Sequence, residues 1–304
     1  MNSKERVLCT IELEKADRVP MDFAANEGTL NKIYRHLKVN SYKEVLKTFH
    51  VDILDIRGVI DPIYQGPVSK EREIGNGVKK DFWGMKTKVM QTATGPEEMY
   101  VDFIFQDVNH IEKMEQHYWP QMNWFDFSNI AEKLKPWQDF AIMASGASVF
   151  QHPTFLRRFD NLLMDMLTNQ ELASYLMDKF TDFYVSYFDR LITAAKSQID
   201  ILRIADDIGM QDGPLISNML FEEFFVPRLK RLIDMAHSHG IKVMFHSCGS
   251  IVNFIGRLIE IGVDVLDPIQ VRAKGMNPRY LKENYGGQIC FHGSIDTQYA
   301  YPKV

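Results

Sequence analysis

Short apolar runs, each closing on a polar or charged residue and followed by a longer segment of helical periodicity, recur through the second half of the chain. Phe140–Ser148, Ile199–Ala205, Lys242–Phe245, Val263–Leu266 and Gln288–Phe291 read as strands. The segments between them read as helices: Phe155–Leu167, Gln170–Lys196 opened by Thr168, Ser217–His239 closed by Gly240, Ile251–Ile261 and Pro278–Tyr285. The first half begins in the same way. Ser3–Leu13 predicts a helix capped by Ser3, Arg18–Ala25 a strand, Asn31–Leu37 and Ser41–Thr48 two helices. Val51–Val59 predicts a second strand, with Ile53, Asp55 and Arg57 on one face against Leu54 and Ile56. The rhythm then breaks. Residues 61–105 are rich in Gly, Lys, Thr and aromatic side chains with period-two stretches, which predicts β-hairpins outside the main fold. Ile111–Glu115 and Phe127–Leu134 read as short helices.

Strands alternating with helices of this length give right-handed βαβ units and a parallel sheet. The strands fall near residues 19, 52, 141, 200, 243, 264 and 289. Seven of them, with no GxGxxG after the first, predict an α/β fold of the (β/α)8 TIM type rather than a dinucleotide-binding sheet. Residues 1–304 then form a single barrel domain with 61–105 inserted. The last βα unit is absent from this reading, because the chain reaches Tyr299–Val304 where a further helix should start. A barrel open between its first and seventh strands predicts association into a homo-oligomer.

Composition narrows the class. The chain has 304 residues, 45% hydrophobic and 25% charged, with a net charge of -5 and pI near 6.0. That balance offers no basic field for nucleic acid. No apolar run reaches membrane-spanning length, and the charged N-terminus is not a signal peptide. Three cysteines, Cys9, Cys248 and Cys290, argue against a disulfide framework and for a reducing, cytoplasmic setting.

Barrel chemistry sits at the carboxyl ends of strands. Those ends carry Asp22 and Glu27, Asp55 and Arg57, Ser145, Asp206 and Asp207, His246 and Cys248, Asp267 and Gln270, and His292 with Asp296. His246 and Cys248 lie two apart where a strand meets its loop, so they share a face and form a ready pair of zinc ligands. A packed His and Cys is the plainer alternative. Asp55 and Arg57 read equally well as a buried ion pair.

IDILRIADDIGMQDGPLIS (199–217), KVMFHSCGSI (242–251), GVDVLDPIQ (262–270) and ICFHGSIDTQ (289–298) resemble the uroporphyrinogen decarboxylase superfamily, and the likeness runs back to ADRVP at Ala16. It implies a TIM-type barrel. It also implies one of two activities: uroporphyrinogen decarboxylation, or zinc-dependent methyl transfer with a methylcobamide or a methylated corrinoid protein. True decarboxylases carry an arginine-rich PxWxMRQAGR motif near the N-terminus. Here the stretch is Val19–Gly28, with no Arg after Arg18 and with Asp22 and Glu27 in its place, which suits a polycarboxylate poorly. HxCG is similar to the methyltransferase branch, where zinc is held by a His and a Cys at this spacing and by a distant third Cys.

His246 and Cys248 match that pattern, and the third ligand has no match before Val304. It lies beyond the chain end, or an oxygen of Asp206, Asp207 or Gln211 replaces it, or the metal is lost; Cys290, on the preceding strand, substitutes poorly. The resemblance implies that zinc lowers the pKa of a thiol substrate, whose thiolate attacks the methyl group on the cobalt of a corrinoid carried by a partner protein. Asp206, Asp207 and His292 would line the mouth as catalytic groups, and Glu27, Gln211, Asp267, Gln270 and Asp296 would contact substrate. The alternative is decarboxylation of a smaller acid, with Asp55 stabilising a protonated intermediate and Arg57 holding a carboxylate. A third reading is a non-catalytic barrel that binds a corrinoid or metabolite.

Overall fold

The structure, a computed structural model, describes residues 1–67, 71–92, 95–296 and 299. At its centre is a curled parallel sheet of six strands. In chain order these are β1 (Ile53–Asp55), β2 (Ala141–Ala147), β3 (Ile201–Ala205), β4 (Lys242–His246), β5 (Val265–Ile269) and β6 (Cys290–Gly293). Each strand pairs with the next, so spatial order follows chain order. The sheet is a half-barrel of the TIM type, with helices on its outer face.

Alternation along each strand separates two cores. Leu54, Ile142, Leu202, Ile204, Val243, Phe245 and Leu266 face outward into one large cluster with the helices. Ile53, Ala141, Met143, Ile201, Met244 and Val265 face inward and form a second cluster with Val7 and Ile11. Helix Ser3–Ile11 therefore plugs the amino end of the barrel with its apolar face. Asn2, rather than Ser3, caps it through a reciprocal bond with Glu5. Ser41 caps Tyr42–Thr48 as its sequence predicts. The long helix Gln170–Ala195 starts at Asn169 without a side-chain cap, so Thr168 does not cap it.

Two expectations about strands need correction. Arg18–Ala25 is not a strand. Pro20 brings no backbone donor, Met21 N–H donates to the Asp52 carboxylate (2.8 Å), and one backbone bond, Asp52 N–H to Met21 O (2.7 Å), joins the segment to its neighbour. One bond does not make a ladder. The expected strand over Val51–Val59 shortens to Ile53–Asp55, because the chain turns at Gly58 with φ +74°. The seven expected strands are thus six among the described residues. The helix expected from Tyr299 onward lies outside them, apart from Tyr299 itself.

Four strands, Glu71–Glu73, Val78–Asp81, Lys86–Thr92 and Gly95–Tyr100, form an antiparallel sheet. It is anchored to the barrel by aromatic packing. Trp83 stacks on Phe180 at 4.3 Å between ring centroids, and Tyr100 stacks on Phe155 at 3.6 Å. Phe155 belongs to helix Gln151–Arg157, which follows the carboxyl end of β2, so this sheet stands over the barrel mouth. Among the described residues no helix is long and apolar enough to cross a membrane.

Candidate metal centre

The inward positions form two layers. The lower layer is the apolar cluster just described. One step further along the same faces, at the carboxyl ends, stand Asp55, Ser145, Arg203, His246, Asp267 and His292. Alternation alone dictates this, since 53/55, 143/145, 201/203, 244/246, 265/267 and 290/292 are pairs two apart. Four of them, Arg203, His246, Asp267 and His292, form a connected network around one buried acid, and Asp55 pairs with Ser145 beside it.

Asp267 is that acid. Its Oδ2 accepts hydrogen bonds from Arg203 Nε (3.0 Å) and Nη2 (2.8 Å), and lies 2.6 Å from His246 Nδ1. Its Oδ1 lies 2.6 Å from His292 Nδ1. Burial pushes the Asp267 pKa up, but the hydrogen bonds of both imidazoles and the Arg203 charge outweigh it and hold the group ionised far below the usual carboxylate range. Arg203 Nη2 also sits 2.7 Å from His246 Nδ1. A guanidinium only donates, and Nδ1 has one hydrogen-bonding role. The shorter contact to a full negative charge settles it: Nδ1–H donates to Asp267, and Nε2 keeps its lone pair.

That lone pair points at the other ligands. His246 Nε2 is 3.7 Å from Cys248 Sγ and 3.6 Å from Asp207 Oδ1. The ligand atoms of Asp207, His246 and Cys248 all lie within 4.8 Å of one another. Tetrahedral zinc with bonds of about 2.0–2.3 Å separates neighbouring N, O and S ligands by roughly 3.4–3.6 Å. The donor set fits zinc: an imidazole oriented by a carboxylate, a thiol and a carboxylate. With no metal, burial and the Asp207 charge push the Cys248 thiol up to about 11. A cation at this point reverses that repulsion and favours the thiolate.

The two loops that carry these ligands are joined backbone to backbone. Met210 bridges Ser250, with Ser250 N–H donating to Met210 O at 2.8 Å. A Cβ on Gly209 would lie 2.5 Å from Cys248 O, and one on Gly249, at φ +82°, would lie 2.4 Å from Gly209 C. Only glycine fits at either position. Cys248 N–H donates to Asp207 Oδ1 (2.8 Å) and Gly249 N–H to Gln270 Oε1 (2.8 Å), which hold the turn from both sides.

The remaining predicted residues are placed as follows. His292 lies between two acids, its Nε2 3.3 Å from Asp22 Oδ2. Burial lowers its pKa, but Asp22 and Asp267 together raise it to about 9. Asp55 accepts from Ser145 Oγ (2.6 Å) and from Arg57 N–H (3.0 Å). Arg57 is exposed beside it. Asp206 has the opposite parity to Arg203 and faces the helical layer. It is fully buried, and its carboxylate accepts from Ser148 Oγ and from the backbone N–H groups of Val149, Phe150 and Gln151. Burial raises its pKa to about 6 against those bonds.

Asp206 therefore anchors the start of helix Gln151–Arg157, and of the adjacent acids it is Asp207 that joins the metal ligands. Asp296 pairs with Arg272 (2.7 Å). Glu27 opens helix Glu27–Leu37 and is exposed, and Gln211 is exposed on the loop after β3. Cys290 faces the lower apolar cluster with Val7 and Ile11, away from the ligands. Arg203 is the central residue that reading the strand ends overlooks. Its signal is a charged residue at inward parity within the apolar strand Ile201–Ala205.

Residues 126–302 match the family described as Uroporphyrinogen decarboxylase (URO-D). That is more than half of the chain, and the chain belongs to this family. A methyltransferase from Methanosarcina mazei superposes on it with a TM-score of 0.56 at 15% sequence identity, covering 88% of this chain and 76% of that one. At that identity the likeness is one of fold. No curated protein matches the sequence.

Proposed function

We propose that this protein is a zinc-dependent methyltransferase that moves a methyl group from a corrinoid, carried by a partner protein, to a thiol. The observation that carries the reading is the convergence of Asp207, His246 and Cys248, with the His246 tautomer fixed by Asp267. Family membership and the fold shared with a methyltransferase support it.

Zinc held there would supply a Lewis acid that keeps a substrate thiol ionised at neutral pH. The chain's own residues do the rest. Asp267 orients the imidazole and neutralises Arg203. Asp207 fixes the Cys248 backbone while offering its own oxygen. A substrate thiolate held there would take the methyl group from a bound methylcorrinoid, with the bonding electron pair staying on the corrinoid.

The test is metal analysis after zinc loading and dialysis, with visible spectra of methylcobalamin in the presence of the protein and simple thiols. One zinc per chain, and thiol-dependent loss of the methylcobalamin spectrum that His246→Ala and Cys248→Ser both abolish, are expected. Full metal retention in those two variants, or no demethylation by the zinc-loaded protein with any thiol, overturns the reading. Carbon dioxide release from small acids, sensitive to Asp55→Asn, favours a decarboxylase instead.

A further inference from the structure

The small antiparallel sheet sorts its charges by face. Side chains alternate along each strand, so the pairing register assigns every residue to one side. Arg72 stands opposite Lys80, and Lys80 opposite Lys86, in three neighbouring strands. Lys88 stands between Val78 and Met99 on the same face. These four cations share the face with one acid, Glu97, which accepts from Thr92 Oγ1 at 3.1 Å. The other face has the reverse balance, with Glu71, Glu73, Asp81 and Glu98 against Lys79. Lys79 Nζ lies 3.0 Å from Glu71, and that bond, with the charges of Glu71, Glu98 and Glu73, raises its pKa.

The acidic face is the one that meets the barrel. Tyr100 belongs to it and stacks on Phe155. Asp81 belongs to it too, with its carboxylate turned to the N–H groups of Trp83 and Met85. The basic face looks the other way. Among the described residues Arg72, Lys80 and Lys88 make no ion pair, and Lys86 has a long one, 3.9 Å from the exposed Asp102. Met99 lies opposite Lys88 and Met90 two residues beyond it, each 46% exposed.

Like charges directly opposite across strands repel, and exchanging residues between the two faces would relieve the repulsion. The chain as a whole is acidic, with a net charge of -5, so solubility does not require a positive face. Both sheet edges resist strand addition, one through Glu71, Arg72 and Glu73 and the other through Pro96, Glu97 and Glu98. A second copy related by a two-fold axis would set basic face against basic face. Within the four strands this face carries no aromatic ring on which a nucleobase could stack. Cations around exposed methionines fit a protein surface instead.

We infer that the basic face of this sheet is a docking surface for an acidic protein partner, one that presents carboxylates around an apolar centre. The carboxylates would pair with Arg72, Lys80 and Lys88, and the apolar centre would cover Met90 and Met99. The inference stands apart from the methyl-transfer reading, which uses none of these residues.

The probe is a synthetic amphipathic helix of about 16 residues, with Glu flanking a stripe of Leu and Met. Fluorescence anisotropy follows its binding to the whole chain at roughly 50 and 200 mM salt. Micromolar binding to wild type, several-fold weaker at the higher salt, is expected. The triple variant Arg72→Gln/Lys80→Gln/Lys88→Gln should bind at least about tenfold more weakly, as three exposed pairs together are worth on the order of a factor of ten. Met90→Ser/Met99→Ser should also weaken binding, at either salt. A control with the same charge change at exposed lysines elsewhere, Lys15→Gln/Lys32→Gln/Lys38→Gln, should bind as wild type does. In thermal melts without the peptide, Lys80→Gln should raise the melting temperature by about 1 °C, since it relieves repulsion from Arg72 and Lys86. No binding by wild type, equal weakening in the control, tighter binding of a single-stranded oligonucleotide of equal charge, or a lower melting temperature in Lys80→Gln overturns the inference.

Discussion

The barrel has a buried aspartate at each end, and the two are built alike but partnered differently. At the amino end Asp52 receives Arg6 Nη1 (2.7 Å), Arg18 Nη1 (2.7 Å) and Nη2 (2.9 Å), and Met21 N–H (2.8 Å). At the carboxyl end Asp267 receives one arginine and two imidazoles. Both acids are held below the usual carboxylate range despite burial that pushes the other way. Guanidinium groups place all their donors in one plane and never lose a proton, so the Asp52 cluster is a lock that ties residues 1–21 to β1. An imidazole bound through one nitrogen still has a second. Asp267 therefore fixes two rings and leaves their far nitrogens for Asp207, Cys248 and Asp22. The same buried charge closes one pole and arms the other.

The largest expected effect breaks the lock. Asp52→Ala takes from Arg6 one of its two anions, leaving Asp17 (2.6 Å), and removes the carboxylate that Arg18 and Met21 N–H share; it should cost about 3 kcal/mol in urea unfolding, with zinc affinity of the folded protein unchanged. Lost zinc affinity in that variant would show that the poles are not independent. Asp267→Asn should instead weaken zinc about 10- to 100-fold by competitive chelator titration, since the imidazole loses its charged orienting partner.

His292 sharpens the contrast through pH. It stays protonated in the folded chain up to about 9, whereas an unfolded histidine titrates near about 6.5. Its contribution is complete below about 6.5 and is lost as pH rises through the folded value, an effect on the order of 2 kcal/mol given its partial exposure. Metal-free wild type should lose stability over that window in melts from pH 6 to 10, and His292→Gln should lose the slope. Asp207→Asn is the mildest change, because an amide oxygen still coordinates. About tenfold weaker zinc, with Cys248 still engaged in cobalt-substituted absorption spectra, is the expected outcome.

Much of this was legible in the residues. Apolar stretches such as Val243–Phe245 and Val263–Leu266 are too short for helices and too regular for loops, so the sheet and its order follow from them. His246 and Cys248 stood out by spacing. What could not be read was parity across a strand end. Asp206 and Asp207 are adjacent and chemically identical, and only the packing of helix Gln151–Arg157 decides which is buried as its anchor. Asp52 was invisible for a similar reason. Within a predicted strand it reads as one polar position, and its three distant partners, Arg6, Arg18 and Met21, become neighbours only after the amino-terminal helix has plugged the barrel. The same contacts draw residues 18–25 out of strand geometry, which is why that expected strand failed.

The contact between Gly209 and Gly249 bears on the order of assembly. It joins the turn after β3 to the turn after β4, across some forty residues of loop, helix and strand. Asp207 and Cys248 therefore meet only when that whole βαβ unit has docked, and we expect that docking to follow the folding transition state. Interactions absent from the folding transition state act on escape from the native basin rather than on entry to it. A metal ion at this point would leave the refolding rate nearly unchanged and slow unfolding, so that its hold on the chain is felt as lifetime.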